Sequence, residues 1–300
     1  TMLTCGDIDE DGIDDLLGLW PTQGGIWVKY SSTGAWARLS STAVHIASGD
    51  MNGDGRADLL GTWDGQGVYY RDSETGAWVK MASPASLITT GDIDGDETDD
   101  LIGIWPSQGG VWVKYSSTGA WARPSSTATD IASGDVNGDG RDDLLATWLG
   151  QGVYYRDSIT GAWVKMASEA DQVTCGDLDA DGSSDLIGIW PTQGGVWVKY
   201  SETGAWARLS STAMDISAGV MRGEGETAAS PAGELALAVP LGGLAEGPEL
   251  AGDHADLSET APAGARFAAS EQENLDPQED AAGNIRRVPG PGERGFKAGQ

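Results

Sequence analysis

The sequence predicts an all-β protein: a β-propeller of tandem four-stranded blades, with five recognisable copies, a vestigial sixth start and a disordered tail. Three observations carry that expectation. A nine-residue pattern, Asp-x-Asp/Asn-x-Asp-Gly-x-x-Asp, starts at Asp7, Asp50, Asp92, Asp135 and Asp177, so its spacing alternates between 43 and 42 residues. Four strand signals separated by Gly-bearing turns recur in every copy, with no helical periodicity between them. A unit of about 40–45 residues holding four strands has the length of a propeller blade, which cannot bury both faces until neighbours stack on it.

Aligned on the acidic loop, the copies run 6–48, 49–90, 91–133, 134–175 and 176–218. In the first copy the loop is followed by the short apolar run Asp15–Trp20. The β-branched and aromatic stretch Ile26–Tyr30 comes next, then a turn at Ser32-Thr33-Gly34 and a third strand at Ala35–Leu39. Ala43–Ser48 is the fourth strand and leads into the next loop. Odd copies carry Trp-Pro-Thr/Ser-Gln-Gly-Gly after the first strand, and even copies carry Trp-x-Gly-Gln-Gly, so the higher-order unit is a pair of copies.

All 13 tryptophans fall inside the copies. Each copy has one after the loop (Trp20, Trp63, Trp105, Trp148, Trp190) and one after the Thr-Gly turn (Trp36, Trp78, Trp121, Trp163, Trp206). Odd copies add Trp27, Trp112 and Trp197 where even copies place Tyr69 and Tyr154. Burying such a ring stabilises by a few kcal/mol, so the set reads as the glue between blades; sugar-binding platforms are the alternative. Lys29, Arg71, Lys114, Arg156 and Lys199 align, as do Arg38, Lys80, Arg123, Lys165 and Arg208, placing cations beside indoles. Cys5 and Cys175 share a repeat position with Ser48, Thr90 and Ser133. That substitution pattern reads as a small buried residue, with a disulfide or a metal thiolate as alternatives.

The loops point to a hard cation. Carboxylates at alternate positions of a tight turn converge, which is unfavourable unless a cation sits among them. The first loop offers Asp7, Asp9, Asp11, the Ile13 carbonyl and Asp15; the second Asp50, Asn52, Asp54, the Arg56 carbonyl and Asp58. The third offers Asp92, Asp94, Asp96, the Thr98 carbonyl and Asp100, but places Glu97 where the others have glycine. The fourth offers Asp135, Asn137, Asp139, the Arg141 carbonyl and Asp143; the fifth Asp177, Asp179, Asp181, the Ser183 carbonyl and Asp185. Oxygen-only ligands select Ca²⁺ over zinc or copper. An EF-hand is excluded: its twelfth position needs a bidentate Glu, and here stand Gly18, Gly61, Gly103, Ala146 and Gly188.

The stretch Gly49-Asp50-Met51-Asn52-Gly53-Asp54-Gly55-Arg56-Ala57-Asp58-Leu59-Leu60 resembles the FG-GAP or VCBS repeat, the calcium-loop blade of integrin-α-type propellers. The resemblance spans residues 1–218. It implies Ca²⁺ held in the hairpin between the first two strands of each blade, an extracellular or cell-surface setting, and adhesion or carbohydrate binding as the commonest roles. Integrin-type propellers have seven blades, so five copies and a vestige leave two alternatives: a closed five-blade ring, or a longer array of which this is a fragment.

The chain carries a net charge of −28 and a pI near 4.1. That balance argues against nucleic acid or an anionic membrane as partner, and no apolar run of about 18–20 residues suggests membrane insertion. Residues 219–300 change composition to Ala, Gly, Pro and Glu, which reads as a disordered tail. The sixth loop places Val220, Arg222 and Ala228 at the first, third and ninth ligand positions, so it should hold no metal. His45 and His254 are unrepeated, and neither a Gly-x-Ser-x-Gly elbow nor a Cys/His pairing is present. The expectation is therefore a calcium-stabilised binding module for a glycan or protein ligand, not an enzyme. A structural spacer within a larger surface protein is the alternative, with a propeller hydrolase or lyase behind it.

Overall fold

The computed structural model describes residues 2–211, 213–221 and 233–239. The chain divides into two compact units, Thr1–Ala265 and Arg266–Gln300; the second lies wholly outside the described residues, as does most of the expected tail. Within the first unit the strands form five four-stranded antiparallel sheets in simple meander order. The first blade contains β1 (Met2–Gly6), β2 (Asp15–Trp20), β3 (Gly25–Lys29) and β4 (Trp36–Ser40). The second contains β5 (His45–Gly49), β6 (Asp58–Trp63), β7 (Gly67–Arg71) and β8 (Trp78–Ala82). The third contains β9 (Leu87–Gly91), β10 (Asp100–Trp105), β11 (Gly110–Lys114) and β12 (Trp121–Ser125). The fourth contains β13 (Asp130–Gly134), β14 (Asp143–Trp148), β15 (Gly152–Arg156) and β16 (Trp163–Ala167). The fifth contains β17 (Gln172–Gly176), β18 (Asp185–Trp190), β19 (Gly195–Lys199) and β20 (Trp206–Ser210). The protein is thus a β-propeller of five complete blades.

Each blade opens with the strand that precedes the acidic loop, so a copy counted from the loop straddles two blades. The loop then joins the first and second strands, whose register pairs Gly6 with Asp15 and repeats as Gly49 with Asp58 and Gly91 with Asp100. The one-residue difference between odd and even copies lies after the second strand. In odd blades Trp-Pro-Thr/Ser-Gln winds a short 3₁₀ turn (Pro21–Gln23, Pro106–Gln108, Pro191–Gln193), and even blades make a tighter connection. Proline suits the first position of such a turn because its φ is already set and its missing N–H would have no partner there.

The ring is closed by a further pair. β21 (Asp215–Met221), the start of the vestigial copy, lies against both β17 and β1, and pairs with β22 (Gly233–Val239), which falls inside the segment read as a tail. Gly219 of β21 meets Cys5 and Asp14 of the first blade as Gly91 meets Ser133 and Asp142 of the fourth. The glycine before each loop is required by this approach: a Cβ on Gly49 would stand 2.1 Å from the Asp99 carboxylate.

The core lies between blades rather than within them. One cluster joins Leu60 and Val68 of the second blade to Leu101, Trp105 and Trp112 of the third; another joins Leu145 and Val153 of the fourth to Leu186 and Trp190 of the fifth. Equivalent seams of smaller aliphatics join the first blade to the second and the third to the fourth. Hydroxyl and thiol groups of the inner strands add a ladder along the ring. Ser48 Oγ donates to the Cys5 carbonyl (2.5 Å), Thr90 Oγ1 to Ser48 (2.7 Å), Ser133 Oγ to Thr90, and Cys175 Sγ to Ser133 (2.8 Å). Cys5 and Cys175 form no disulfide with each other, and burial pushes the Cys5 thiol up to about 12.

Candidate metal centres

The first Asp of each loop organises the turn. Asp7 accepts the N–H groups of Asp11 (3.1 Å) and Gly12 (2.8 Å). Asp50 accepts those of Gly53, Asp54 and Gly55, and Asp92 those of Gly95, Asp96 and Glu97. Asp135 and Asp177 repeat the arrangement with Asp139 and Gly140, and with Asp181 and Gly182. The fifth-position residues Asp11, Asp54, Asp96, Asp139 and Asp181 each accept the N–H two residues on, which sets the backbone of Ile13, Arg56, Thr98, Arg141 and Ser183. Two backbone positions per loop take positive φ. They are Glu10 and Gly12, Gly53 and Gly55, Gly95 and Glu97, Gly138 and Gly140, and Ala180 and Gly182. Glu97 therefore does adopt the left-handed conformation (φ 69°), and every loop keeps at least one glycine of the two.

The ninth-position carboxylates sit at the base of the loops. Asp15, Asp58, Asp100, Asp143 and Asp185 are all fully buried. One oxygen of each accepts a serine N–H from the turn after the third strand: Ser31, Ser73, Ser116, Ser158 and Ser201, at 2.7–2.9 Å. Burial without a cation pushes Asp15 and Asp100 up to about 6 and Asp58 and Asp143 up to about 7, against the lowering effect of these bonds, and raises Asp185.

Odd and even loops then diverge. In the odd loops carboxylate oxygens of Asp7, Asp9 and Asp15, of Asp92, Asp94 and Asp96, and of Asp177, Asp179 and Asp185 gather within 4.8 Å of one another. Asp9 and Asp94 each have one oxygen held by a serine hydroxyl, Ser32 or Ser117, at 2.7 Å; the other oxygen is buried with no partner. In the even loops the third position is Asn52 or Asn137, whose side-chain oxygen turns inward to accept the N–H of Asp54 or Asp139 (both 2.9 Å). Among the described residues no comparable gathering of three carboxylates forms there. An all-oxygen donor set with desolvated, unpartnered carboxylate oxygens fits a hard divalent cation.

Two features were not read from the sequence. The eighth loop position ties neighbouring loops together: Ala57, Asp99, Asp142 and Ser184 donate their N–H groups to the carbonyls of Asp7, Asp50, Asp92 and Asp135. The side chains of Asp99 and Asp142 in turn accept the N–H groups of Asp50 (2.8 Å) and Asp92 (3.1 Å); burial raises them to about 7 and about 6. Arg56 also leans across to Glu10 of the first loop (2.6 Å), and Arg141 lies against Gly95 of the third. The serines after the third strand belong to the loops as well, and the Tyr-Ser-Ser-Thr of the first and third copies, Tyr-Ser-Glu-Thr in the fifth, was the available signal.

The aromatic pairs start at the other end of the second strand from these loops, since Asp15 and Trp20 bound β2. The two conserved-register tryptophans of each blade meet edge to face at 4.9–5.4 Å: Trp20 with Trp36, Trp63 with Trp78, Trp105 with Trp121, Trp148 with Trp163, Trp190 with Trp206. The first of each pair is buried except Trp148, and the second is part-exposed, with Trp206 at 44%. The cations lie across strands rather than along one: Lys80 over Tyr69, Lys165 over Tyr154, Arg123 over Trp112 and Lys114 over Trp121, at 5.6–6.0 Å.

No protein-family model and no curated protein matches the chain. Among solved structures it is similar to BBS1N from its complex with ARL6DN (10% identity, TM-score 0.46, 71% of this chain and 82% of that one). It is similar also to the Pan2 WD40 domain of Neurospora crassa (10%, 0.42, 68% and 65%) and to Sqt1 of Saccharomyces cerevisiae (10%, 0.42, 77% and 70%).

Proposed function

We propose that the protein is a binding module stiffened by Ca²⁺, placed outside the cell or on its surface, holding a protein or glycan ligand against its blades. The observation that carries the reading is the convergence of three carboxylates in each odd loop, with buried oxygens of Asp9 and Asp94 left for a cation. In the odd loops the ion would be held by Asp7, Asp9, Asp11 and Asp15 and their counterparts, with the carbonyls of Ile13, Thr98 and Ser183. The even loops would supply Asp50, Asn52, Asp54 and Asp58, and Asp135, Asn137, Asp139 and Asp143, with the carbonyls of Arg56 and Arg141. Bound there, Ca²⁺ supplies charge neutralisation and cross-links the first two strands of a blade; it has no chemical step to perform. The likeness of the loops to FG-GAP/VCBS repeats supports the same reading.

The ligand surface we favour is the groove between the first two blades, a cavity of about 280 Å³ lined by Tyr30, Ser32, Arg56, Arg71 and Ser73 beside Asp9. Hydroxyls, an aromatic ring and two guanidinium groups suit a hydroxyl-rich or acidic ligand such as a glycan or an acidic peptide.

Calorimetric titration of the chelator-treated protein with Ca²⁺ and Mg²⁺, with thermal melts in parallel, tests the metal. We expect the odd loops to fill before the even ones, a weak response to magnesium, and a rise in stability of about 2.7 kcal/mol once calcium reaches a hundred times its Kd. A chelated protein that melts no earlier than the calcium-loaded one overturns the proposal.

A further inference from the structure

The third strand of every blade ends on a cation in one register, and the seams use the two kinds of cation differently. Where an even blade meets the next odd one, the cation is a lysine and the seam absorbs it. Lys114 Nζ donates to the Met81 carbonyl and Lys199 Nζ to that of Met166, both at 3.0 Å. Where an odd blade meets the next even one, the cation is Arg71 or Arg156. Neither makes a hydrogen bond or an ion pair among the described residues. The tip of each guanidinium instead rests over the glycine of its own turn, Gly76 or Gly161.

A cavity lies at each of these two seams. The first is the groove of about 280 Å³ between the first two blades, and the second, of about 80 Å³, lies between the third and fourth. Position for position they correspond: Ile8 with Ile93, Tyr30 with Tyr115, Arg71 with Arg156 and Ser73 with Ser158, each pair 85 residues apart. Both lie at the end of the blades that carries the acidic loops, since Ser73 and Ser158 bond the loop carboxylates Asp58 and Asp143 (both 2.9 Å). Burial raises the phenols of Tyr30 and Tyr115, against the pull of Arg71 and Arg156, so both hydroxyls stay protonated beside the guanidinium groups. In a chain of net charge −28, a half-buried guanidinium without an ion pair is a desolvated charge. A carboxylate offsets that cost with two parallel hydrogen bonds.

We propose that the two odd-to-even seams are matched subsites for one acidic polysaccharide chain, seating one sugar-acid carboxylate on Arg71 and another on Arg156. The inference rests on the ligand groove assigned above to the first two blades, and adds a second seam to it. The tyrosine and serine hydroxyls meet the hydroxyls of the sugar, and Ile8 or Ile93 receives the C–H face of its ring. A sugar acid suits these walls better than an acidic peptide because hydroxyls outnumber cations. In the first cavity Tyr30, Ser32, Thr33 and Ser73 surround Arg71, while Arg56 is already held by Glu10. Two equivalent subsites at one end of the blades bind a repeating chain through both at once, so a polymer is held more tightly than its monomer.

The test is calorimetry on the full chain in calcium, with glucuronate and a hyaluronan fragment of about 20 sugars as probes. We expect the fragment to bind about tenfold or more tightly than glucuronate, and Arg71→Ala and Arg156→Ala each to weaken the fragment by about tenfold or more. Tyr30→Phe and Tyr115→Phe remove only a hydroxyl, so they keep the fold where an alanine variant melts early; each should weaken the fragment about threefold. Arg38→Ala, whose guanidinium sits on the Gly24 carbonyl, should change nothing. A loss confined to Arg71→Ala and Tyr30→Phe would overturn the second subsite and leave the groove between the first two blades standing. Equal losses in all three arginine variants would reduce the binding to general charge attraction, and tighter binding of polyglutamate than of the fragment would make the ligand an acidic peptide; either overturns the proposal. Should glucuronate, the fragment and polyglutamate all fail to bind, the proposal falls together with that groove, while the calcium titration keeps its own readout.

Discussion

Glycine and its replacements set local geometry at two kinds of position here. In the second strand of most blades a glycine lies under the tryptophan two residues on; a Cβ on Gly103 would stand 2.7 Å from the Trp105 ring. The fourth blade has Ala146 instead, and its Trp148 is the one member of the series that is not buried. Gly103→Ala should therefore lift Trp105 off its strand and lower stability by about 1–3 kcal/mol, read by urea denaturation. The loops hold the second kind. Glu97 sits exposed at φ 69°, a conformation that costs an L-residue with a Cβ. Glu97→Gly should raise stability by about 1 kcal/mol in the same assay, and a loss of that size would show that the Glu97 side chain makes a compensating contact.

At the scale of the element, the acidic loop is a hairpin connection whose carboxylates do two jobs. The first and fifth Asp residues cap backbone N–H groups; in the odd loops the first also converges with the third and with either the ninth (Asp15, Asp185) or the fifth (Asp96). Replacing the third-position Asp by Asn, as the even copies do, turns that side chain into another cap (Asn52 to Asp54, 2.9 Å). Asp9→Asn and Asp94→Asn should each weaken calcium binding by about tenfold or more at the altered loop, whereas Asn52→Asp should strengthen it at the second; calorimetry on the three variants checks both directions. Much of this element was legible in the sequence, because a pattern repeated five times names its own carboxylates and its odd/even difference. The blade boundary was not. Loop-aligned copies say nothing about which strand pairs with which, and the strand before each loop could be assigned to its blade only once the β1–β2 register was known. The eighth-position residues escaped for a related reason: Ala57, Asp99, Asp142 and Ser184 share no one residue type, and what they share is a backbone N–H aimed at the neighbouring loop.

Across the whole molecule, the ring is held by contacts from each inner strand to the next, and two of them use a buried acid. Asp130, at the start of β13, accepts the N–H of Val173 on β17 (2.8 Å), and Asp215 on β21 accepts that of Leu3 on β1 (2.6 Å), closing the circle. Burial raises Asp130 to about 7, against the lowering effect of its backbone bonds, and Asp215 adds to the rise. Asp215 is raised for the same reason. His45, on β5, is driven down to about 4 by burial and so offers no positive charge in the range where Asp130 ionises. A carboxylate whose folded pKa exceeds its unfolded value near 3.9 binds more protons in the folded state between those limits. Stability must therefore fall as pH rises from about 4 to about 7, the reverse of the usual acid-labile carboxylate. Asp130→Asn keeps an oxygen for the Val173 N–H and removes the buried charge. In saturating calcium, urea melts should find the variant more stable than the parent by about 2 kcal/mol at pH 8, with the difference shrinking through the window and gone by about pH 4. A variant less stable at pH 8 would mean that the charged form of Asp130 is held by a partner, and that the ring tolerates the ion instead of enduring it.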